Sequence, residues 1–481
     1  TLFFSAVDIS HGKELWKSDG SATGTQLVKD IYVGDLGSGP DQAVAIGSTL
    51  FFSANDGVSG QELWKSDGSA AGTVMVQDIA VGGTSRPEYL TAVGSTLFFT
   101  AEDGVNGREL WKSDGSAAGT VMVANIASGV SSSYPAYLTA VGSTLFFTAD
   151  DGVNGYELWK SDGTSGGTTI VKDIYPGVTG SDLNAFAVVG STLFFRADNG
   201  VDGYELWKSD GTSGGTTIVK DIEPGLDSGN PDNLTAVGST LFFIADNGTV
   251  GYELWKSDGT SAGTVLVKDI RNGVLGSDLY RLKAVGSTLY FEADDGVHGY
   301  EMWKSDGSLN GTALVADINV GLDSNPRDLT VVGSTLYFVA YDGFHGTELW
   351  GFDQDYLPFV SLSPNRILDT RSGAKLGTLA AAGGAAPYEL QVTGVGGVPV
   401  SGVSAVALNV TAVSTEANDF GGYVSVYPCG GVPDVSNLNF VSGQTIPNSV
   451  IAPVSGSGKV CFYVYGKAHL LADVSGYFGA S

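Results

Sequence analysis

Along most of this chain, apolar and polar residues alternate in short runs, and glycine or aspartate closes each run. In the stretch from Gly142 the runs are Thr144-Leu145-Phe146-Phe147-Thr148, Tyr156-Glu157-Leu158-Trp159-Lys160, Thr169-Ile170-Val171-Lys172-Asp173-Ile174 and Ala185-Phe186-Ala187-Val188-Val189. β-branched and aromatic residues dominate them, as expected of half-buried strands. Between the first three lie Asp150-Asp151-Gly152-Val153-Asn154-Gly155 and Asp162-Gly163-Thr164-Ser165-Gly166-Gly167. Glycine and aspartate supply the positive φ angles that tight hairpins need. No helical periodicity survives there without a glycine interrupting it. The pattern predicts four antiparallel strands per unit.

The unit recurs. Gly-Ser-Thr-Leu begins at 47, 94, 142, 190, 238, 286 and 333, a spacing of 47 or 48 residues. A second phrase built on Glu-Leu-Trp-Lys-Ser-Asp-Gly follows each time, with Trp16, Trp64, Trp111, Trp159, Trp207, Trp255, Trp303 and Trp350 as all the tryptophans of the chain. Four strands in such a period is the signature of a β-propeller blade. Eight Leu-Phe-Phe-type strands and eight tryptophan strands favour eight blades; seven blades plus a flap, or an open solenoid, are the alternatives. Thirty strands can be counted, two more than seven closed blades hold and two fewer than eight. Gln354 to Phe359, or a strand upstream, would complete the set. The chain opens at Thr1-Leu2-Phe3-Phe4, part-way through a repeat. An upstream piece carrying targeting information is therefore expected to have been cleaved or left out.

An aromatic residue at one strand position in every blade is what blade-to-blade packing requires. The tryptophans are accordingly assigned to structure rather than to stacking on sugar rings, and the Leu-Phe-Phe strands to the core.

Glu-Leu-Trp-Lys-Ser-Asp-Gly-Thr-Ser-Gly-Gly-Thr at 157–168 resembles the bacterial ELWxxDGT repeat family. The resemblance covers about residues 1–356. It implies a propeller in a secreted or cell-surface bacterial protein and brings no assigned activity.

After Phe359 the repeat stops, which divides the chain into a propeller at 1–356 and a second domain at 357–481. Alternation in Tyr423-Val424-Ser425-Val426-Tyr427 and Val460-Cys461-Phe462-Tyr463-Val464-Tyr465 predicts a β-sandwich, so the whole chain is all-β. Leu376 to Ala386 reads as a loose loop. Cys429 and Cys461, the only cysteines, read as one disulfide tying strands together. Arg366, Asp369 and Arg371 read as an internal ion-pair cluster. The phrases Arg366-Ile367-Leu368-Asp369-Thr370-Arg371, Ala407-Leu408-Asn409-Val410-Thr411 and Asp473-Val474-Ser475-Gly476-Tyr477-Phe478 resemble a small β domain appended to secreted actinobacterial proteins. That likeness implies an extracytoplasmic module and no binding residue.

Charge narrows the partners. The chain has 24 Lys and Arg against 52 Asp and Glu, a net of −28, nearly all of it in the repeats. Such a surface repels phosphate backbones, which excludes nucleic acid as a partner. No apolar run approaches the roughly 18 residues of a membrane-spanning helix. His11, His298, His345 and His469 are scattered, and no Gly-x-Ser-x-Gly, His-Glu-x-x-His or Walker pattern occurs. The expectation is that the protein is not an enzyme.

Two sets of residues remain as candidate sites. Asp150, Asp151, Glu157 and Asp162 offer the oxygens that calcium takes, although aspartate before glycine is also the ordinary turn residue. The loop after the Lys-Asp-Ile strand varies between units, as in Gly82 to Pro87 and Gly225 to Pro231. Ser85, Arg86, Asp227 and Asn230 are the rim residues assigned to binding there. These features lead to an expected role as a non-catalytic extracellular adhesion scaffold, its multivalent rim turned to glycans or cell-surface proteins. A structural subunit of a fibre or layer of like copies, and a calcium-stabilised lectin, are the alternatives.

Overall fold

A computed structural model describes residues 1–333, 335–353, 359–378, 386–417, 421–429 and 436–479. Every regular element among them is a strand. The chain divides into two compact units, Thr1–Leu329 with Phe338–Trp350 and Thr330–Tyr337 with Gly351–Ser481.

The repeats form six four-stranded and two three-stranded antiparallel sheets, which are eight propeller blades. Blade 4 runs Ala136–Val141, Thr144–Asp150, Tyr156–Ser161 and Thr169–Lys172. The blades are out of phase with the sequence unit. Asn184–Val189, the last run of the unit read from Gly142, pairs instead with Thr192–Asp198 as the first strand of blade 5. The two-residue hairpin at Gly190-Ser191, with Gly190 at φ 62°, is the shorter connection. This phase gives blade 1 the second to fourth strands only and blade 8 the first to third, thirty strands in all. The segment 354–358, a candidate for completing the last blade, lies outside the described residues, as does 379–385 of the expected loose loop.

Blades 2 to 7 are packed on both faces, which is why the second strand reads Leu-Phe-Phe without alternation. Phe146, Leu158, Val171 and Ile174 of blade 4 meet Leu193, Phe195, Ala197 and Trp207 of blade 5. Burying such a side chain stabilises by about 1.5–3 kcal/mol. Lysines join the same faces at their edges. Lys160 Nζ donates to the carbonyl of Gly211 at 2.8 Å, and Lys17, Lys65, Lys112, Lys208 and Lys256 repeat the contact, each with the next blade. At the two ends of the array Leu2 is 65% and Leu349 69% exposed, whereas the equivalent Leu97 and Leu110 are fully buried.

Two polar devices fix the loops. Glu157 is fully buried and accepts hydrogen bonds from Ile174 N at 3.0 Å, Tyr175 N at 3.1 Å and Ser181 Oγ at 2.7 Å. The loop after the fourth strand thereby satisfies its backbone donors on a single carboxylate. Glu62, Glu109, Glu205, Glu253 and Glu301 do the same work in their blades. At the other end of the strand, Asp162 Oδ1 accepts Thr164 N and Oγ1 at 2.8 and 2.7 Å. Its carboxylate lies over Gly167, where a Cβ would come within 2.0 Å of Oδ1. Only glycine fits there.

The C-terminal unit is sandwich-like and is built from one sheet. Its organising element is the long strand Lys459–Gly479. The first half pairs with Gly422–Pro428 and Tyr388–Gln391, and the second half with Val403–Glu416 and Phe359–Asp369. Gly466, at φ 90°, sits where the pairing changes hands. Val406, Leu408, Val424, Phe462, Leu470 and Val474 are among its core residues. Cys429 and Cys461 form the disulfide. The charge cluster differs from expectation. Arg371 binds Asp369 at 2.6 Å and Arg366 binds Asp473, but both pairs lie at the surface. Their side chains stay partly exposed, with Asp473 on the long central strand and Arg371 just past the end of Phe359–Asp369, so they do not lock an interior.

Candidate functional site

The first strand of blades 2 to 8 carries the feature that separates the repeats from one another. In blade 4 the register against the second strand slips between Ala136 and Thr139, a β-bulge. Such a bulge puts its first residue in the left-handed region, a place usually given to glycine. Here that position is Gln42, Tyr89, Tyr137, Ala185, Asn233, Arg281 and Asp328 through blades 2 to 8, with φ of 53–58°. Three residues upstream a second left-handed position holds Arg86, Tyr134, Asp182, Asn230, Asp278 and Asn325, with φ of 44–47°; only blade 2 has glycine, Gly39. Asn and Asp tolerate this conformation, whereas Gln42, Arg86, Tyr89, Tyr134, Tyr137, Ala185 and Arg281 each cost about 1 kcal/mol or more of backbone strain there. Thirteen are kept, and they change from blade to blade while the flanking scaffold repeats.

First strands of neighbouring blades lie side by side from blade 2 to blade 7. Their left-handed side chains therefore form an inner series of clefts. The cleft between blades 3 and 4 has a volume of about 550 Å³ and is lined by Arg86, Glu88, Tyr89, Arg108, Tyr134, Tyr137 and Tyr156, with Pro135 and Ala136. All four tyrosines are 40–54% exposed. Burial first, and then the charges of Asp150 and Tyr134, push the Tyr156 phenol up, so it stays a hydrogen-bond donor. Arg108 is occupied, donating to Thr100 Oγ1 at 2.9 Å, the Arg86 carbonyl at 3.0 Å and Glu88 at 3.2 Å. The Arg86 side chain is exposed and makes no hydrogen bond or ion pair among the described residues.

The cleft between blades 6 and 7 has a different character. It holds about 360 Å³ and is lined by Asn230, Asp232, Asn233, Tyr252, Asp278 and Tyr280, with Arg196 reaching in from blade 5. Between them, Asp182 accepts the Tyr204 hydroxyl at 3.0 Å. Farther round, Asp278 accepts that of Tyr300 at 3.2 Å. Burial, with Asp278 close by, pushes the Tyr300 phenol up to about 12. One stretch of the series is cationic and aromatic, and the other is acidic and amidic.

Of the residues assigned from sequence, Arg86 and Asn230 line these two clefts. Ser85 does not, since it is fully buried with its hydroxyl donating to Glu62 at 2.6 Å. Asp227 stays exposed on its loop and lines neither cleft. The four acidic residues are held apart. Asp150 caps Gly152 N, Asp151 caps Val153 N and Asn154 N, Glu157 is buried, and Asp162 lies at the far end of the strand from the first two. No group of three or more His, Cys, Asp or Glu side chains among the described residues is placed to hold a metal ion. The tryptophans of blades 2 to 7 are buried against the preceding blade. Tyr89, Tyr134 and Tyr137 escaped the sequence reading, because a left-handed tyrosine has no sequence mark.

No family model matches the chain, and no curated protein matches it in sequence. Solved structures share its fold. Puromycin hydrolase matches at 14% identity over 65% of this chain and 52% of its own, with a TM-score of 0.36. A prolyl endopeptidase matches at 14% identity, over 69% of this chain and 53% of its own, with a TM-score of 0.38. The β-propeller domain of the Trilobed protease from Pyrococcus furiosus matches at 9% identity, over 65% and 95%, with a TM-score of 0.35. This chain spans about half the length of the first two. The expectation of a non-catalytic adhesion, fibre or lectin role is corrected by these matches. The proteins that share the fold are hydrolytic enzymes or a domain of one, so the fold gives no ground for a non-catalytic role. At such identities the likeness reaches the fold alone.

Proposed function

We propose that the propeller recognises an extended peptide, one per chain, laid across the inner clefts. The observation that carries this reading is the series of strained, variable side chains on a repeating scaffold. Strain of that kind is retained where it positions a side chain for use. Tyrosine and arginine, the residues that dominate the cleft between blades 3 and 4, supply most of the binding energy in interfaces generally. Phenols, amides and carboxylates along the series match the donors and acceptors of a peptide backbone, and Asp182, Asp232 and Asp278 suit its basic side chains. Because the left-handed pair differs from blade to blade, the ligand binds in one register. The disulfide and the resemblance of the repeat both favour an oxidising, extracytoplasmic compartment in a bacterium.

Calorimetric titration of the protein with an arrayed library of acetylated hexapeptides tests the reading. The expected result is saturable binding at one site per chain by a subset of sequences. Tyr137→Ala should weaken it about tenfold or more, as loss of a buried aromatic anchor does. Absence of saturable binding across the library would overturn it.

A further inference from the structure

The free guanidinium of Arg86 has a chemical consequence for the ligand. Among the upstream left-handed residues, Arg86 is the one cation; its counterparts are Gly39, Tyr134, Asp182, Asn230, Asp278 and Asn325. It stands in the most aromatic of the described clefts, beside Tyr89, Tyr134 and Tyr137. The neighbouring Arg108 neutralises Glu88 and holds the Arg86 carbonyl, so the loop that carries Arg86 is fixed while its side chain is not engaged. We infer that this cleft receives a carboxylate of the bound peptide, with Arg86 as its partner and the tyrosines packing on the residue that bears it. The inference rests on the peptide reading and gives it a direction, with the anionic group at blades 3 and 4 and the basic groups toward Asp182 and Asp278.

A carboxylate could come from the end of the peptide or from an acidic side chain, and guanidinium binds both by the same paired hydrogen bonds. Peptides that bind in the library would therefore be compared in three forms: free acid, carboxamide, and carboxamide with an added penultimate glutamate. The free acid or the glutamate form should bind about tenfold to a hundredfold more tightly than the plain carboxamide, the size of a hydrogen bond to a charged group. Arg86→Ala should abolish that difference. Arg86→Gly is the companion variant, because Gly39 already occupies the equivalent site and the backbone is left unstrained. Circular dichroism would check that both variants keep the fold. A gain seen with the free acid alone assigns the terminal carboxylate, and a gain with the glutamate form assigns a side chain. Equal binding of all three forms, or a gain that survives in both Arg86 variants, overturns the inference and leaves the peptide reading standing. Failure of every peptide to bind takes both down.

Discussion

Nζ of Lys172 in blade 4 lies 5.6 Å from the ring centroid of Trp207 in blade 5, and donates to the Thr216 carbonyl at 2.8 Å. Lys29, Lys220 and Lys268 make the same pair of contacts with Trp64, Trp255 and Trp303. Tryptophans covered in this way are 4–6% exposed. Trp111 and Trp159, which face Gln77 and Ala124 instead, are 7% and 9% exposed. Lys172→Ala should lower stability by about 2–4 kcal/mol, the sum of a cation–π contact and a charged hydrogen bond. Ala124→Lys should raise it by about 0.5–1 kcal/mol through covering Trp159. Urea denaturation would measure both, and a neutral Lys172→Ala would show the contact to be idle.

Two adjacent glycines should respond oppositely to alanine. A Cβ at Gly167 would collide with the Asp162 carboxylate, whereas a Cβ at Gly166 meets nothing within 4 Å. Ala71, Ala118 and Ala262 already stand at the position equivalent to Gly166. Gly166→Ala is expected to stabilise by about 0.4–1 kcal/mol by restricting the unfolded chain. Gly167→Ala should destabilise by about 1–3 kcal/mol, the range for forcing an overpacked site. Thermal melts of the pair settle the matter, and two shifts of the same sign would refute the packing described.

The buried glutamates set the pH dependence of stability. Burial, with Asp173, Asp221 and Asp269 adding to it, pushes Glu157, Glu205 and Glu253 up to about 7 from 4.5. The native state therefore binds protons more tightly than the unfolded chain. The stability this contributes is full below about pH 4.5 and is lost as pH rises through 7. The turn carboxylates act the other way. Hydrogen bonds from Thr164 and Thr212 hold Asp162 and Asp210 below 3.8, so their contribution is lost only in stronger acid. Melting temperature should peak at about pH 5 and fall by pH 8. A flat or rising profile between those values would contradict it.

Reducing the disulfide should affect one unit. The bridge closes a separation of 32 residues between Cys429 and Cys461, within the C-terminal unit. Cys461→Ser with Cys429→Ser is expected to cost that unit about 3–4 kcal/mol on the loop-entropy account. Calorimetry should show its transition lowered and that of the propeller unmoved. A common shift of both would mean that the two unfold together.

The blades were legible in the sequence because each is enforced by many residues at once. Leu145, Phe147 and Trp159 recur with one period, and the thirty strands counted from turn residues are those the structure contains. The phase of the blades is not legible there, since a Gly-Ser pair marks a hairpin as readily as a boundary. The clefts were legible only in part. Arg86 and Asn230 stand out because their loops vary, and Ser85 shares that loop although its hydroxyl is spent on Glu62. Tyr137 was invisible because its left-handed backbone is imposed by the bulge and the neighbouring strand, not by its own preference.

The lysine contacts between blades have a further consequence, for the length of the array. Each reaches one blade forward and no further, so a whole repeat can be removed without stranding a donor. Deleting residues 190–237 would bring Lys160 to the carbonyl of Gly259 and Lys172 to Trp255, partners of the same kind in the same register. The repeats differ by at most one residue in length, so the product would still be an array whose neighbours fit. Blade number is thereby uncoupled from the fit between neighbours, and each repeat removed takes one pair of left-handed positions out of the inner series.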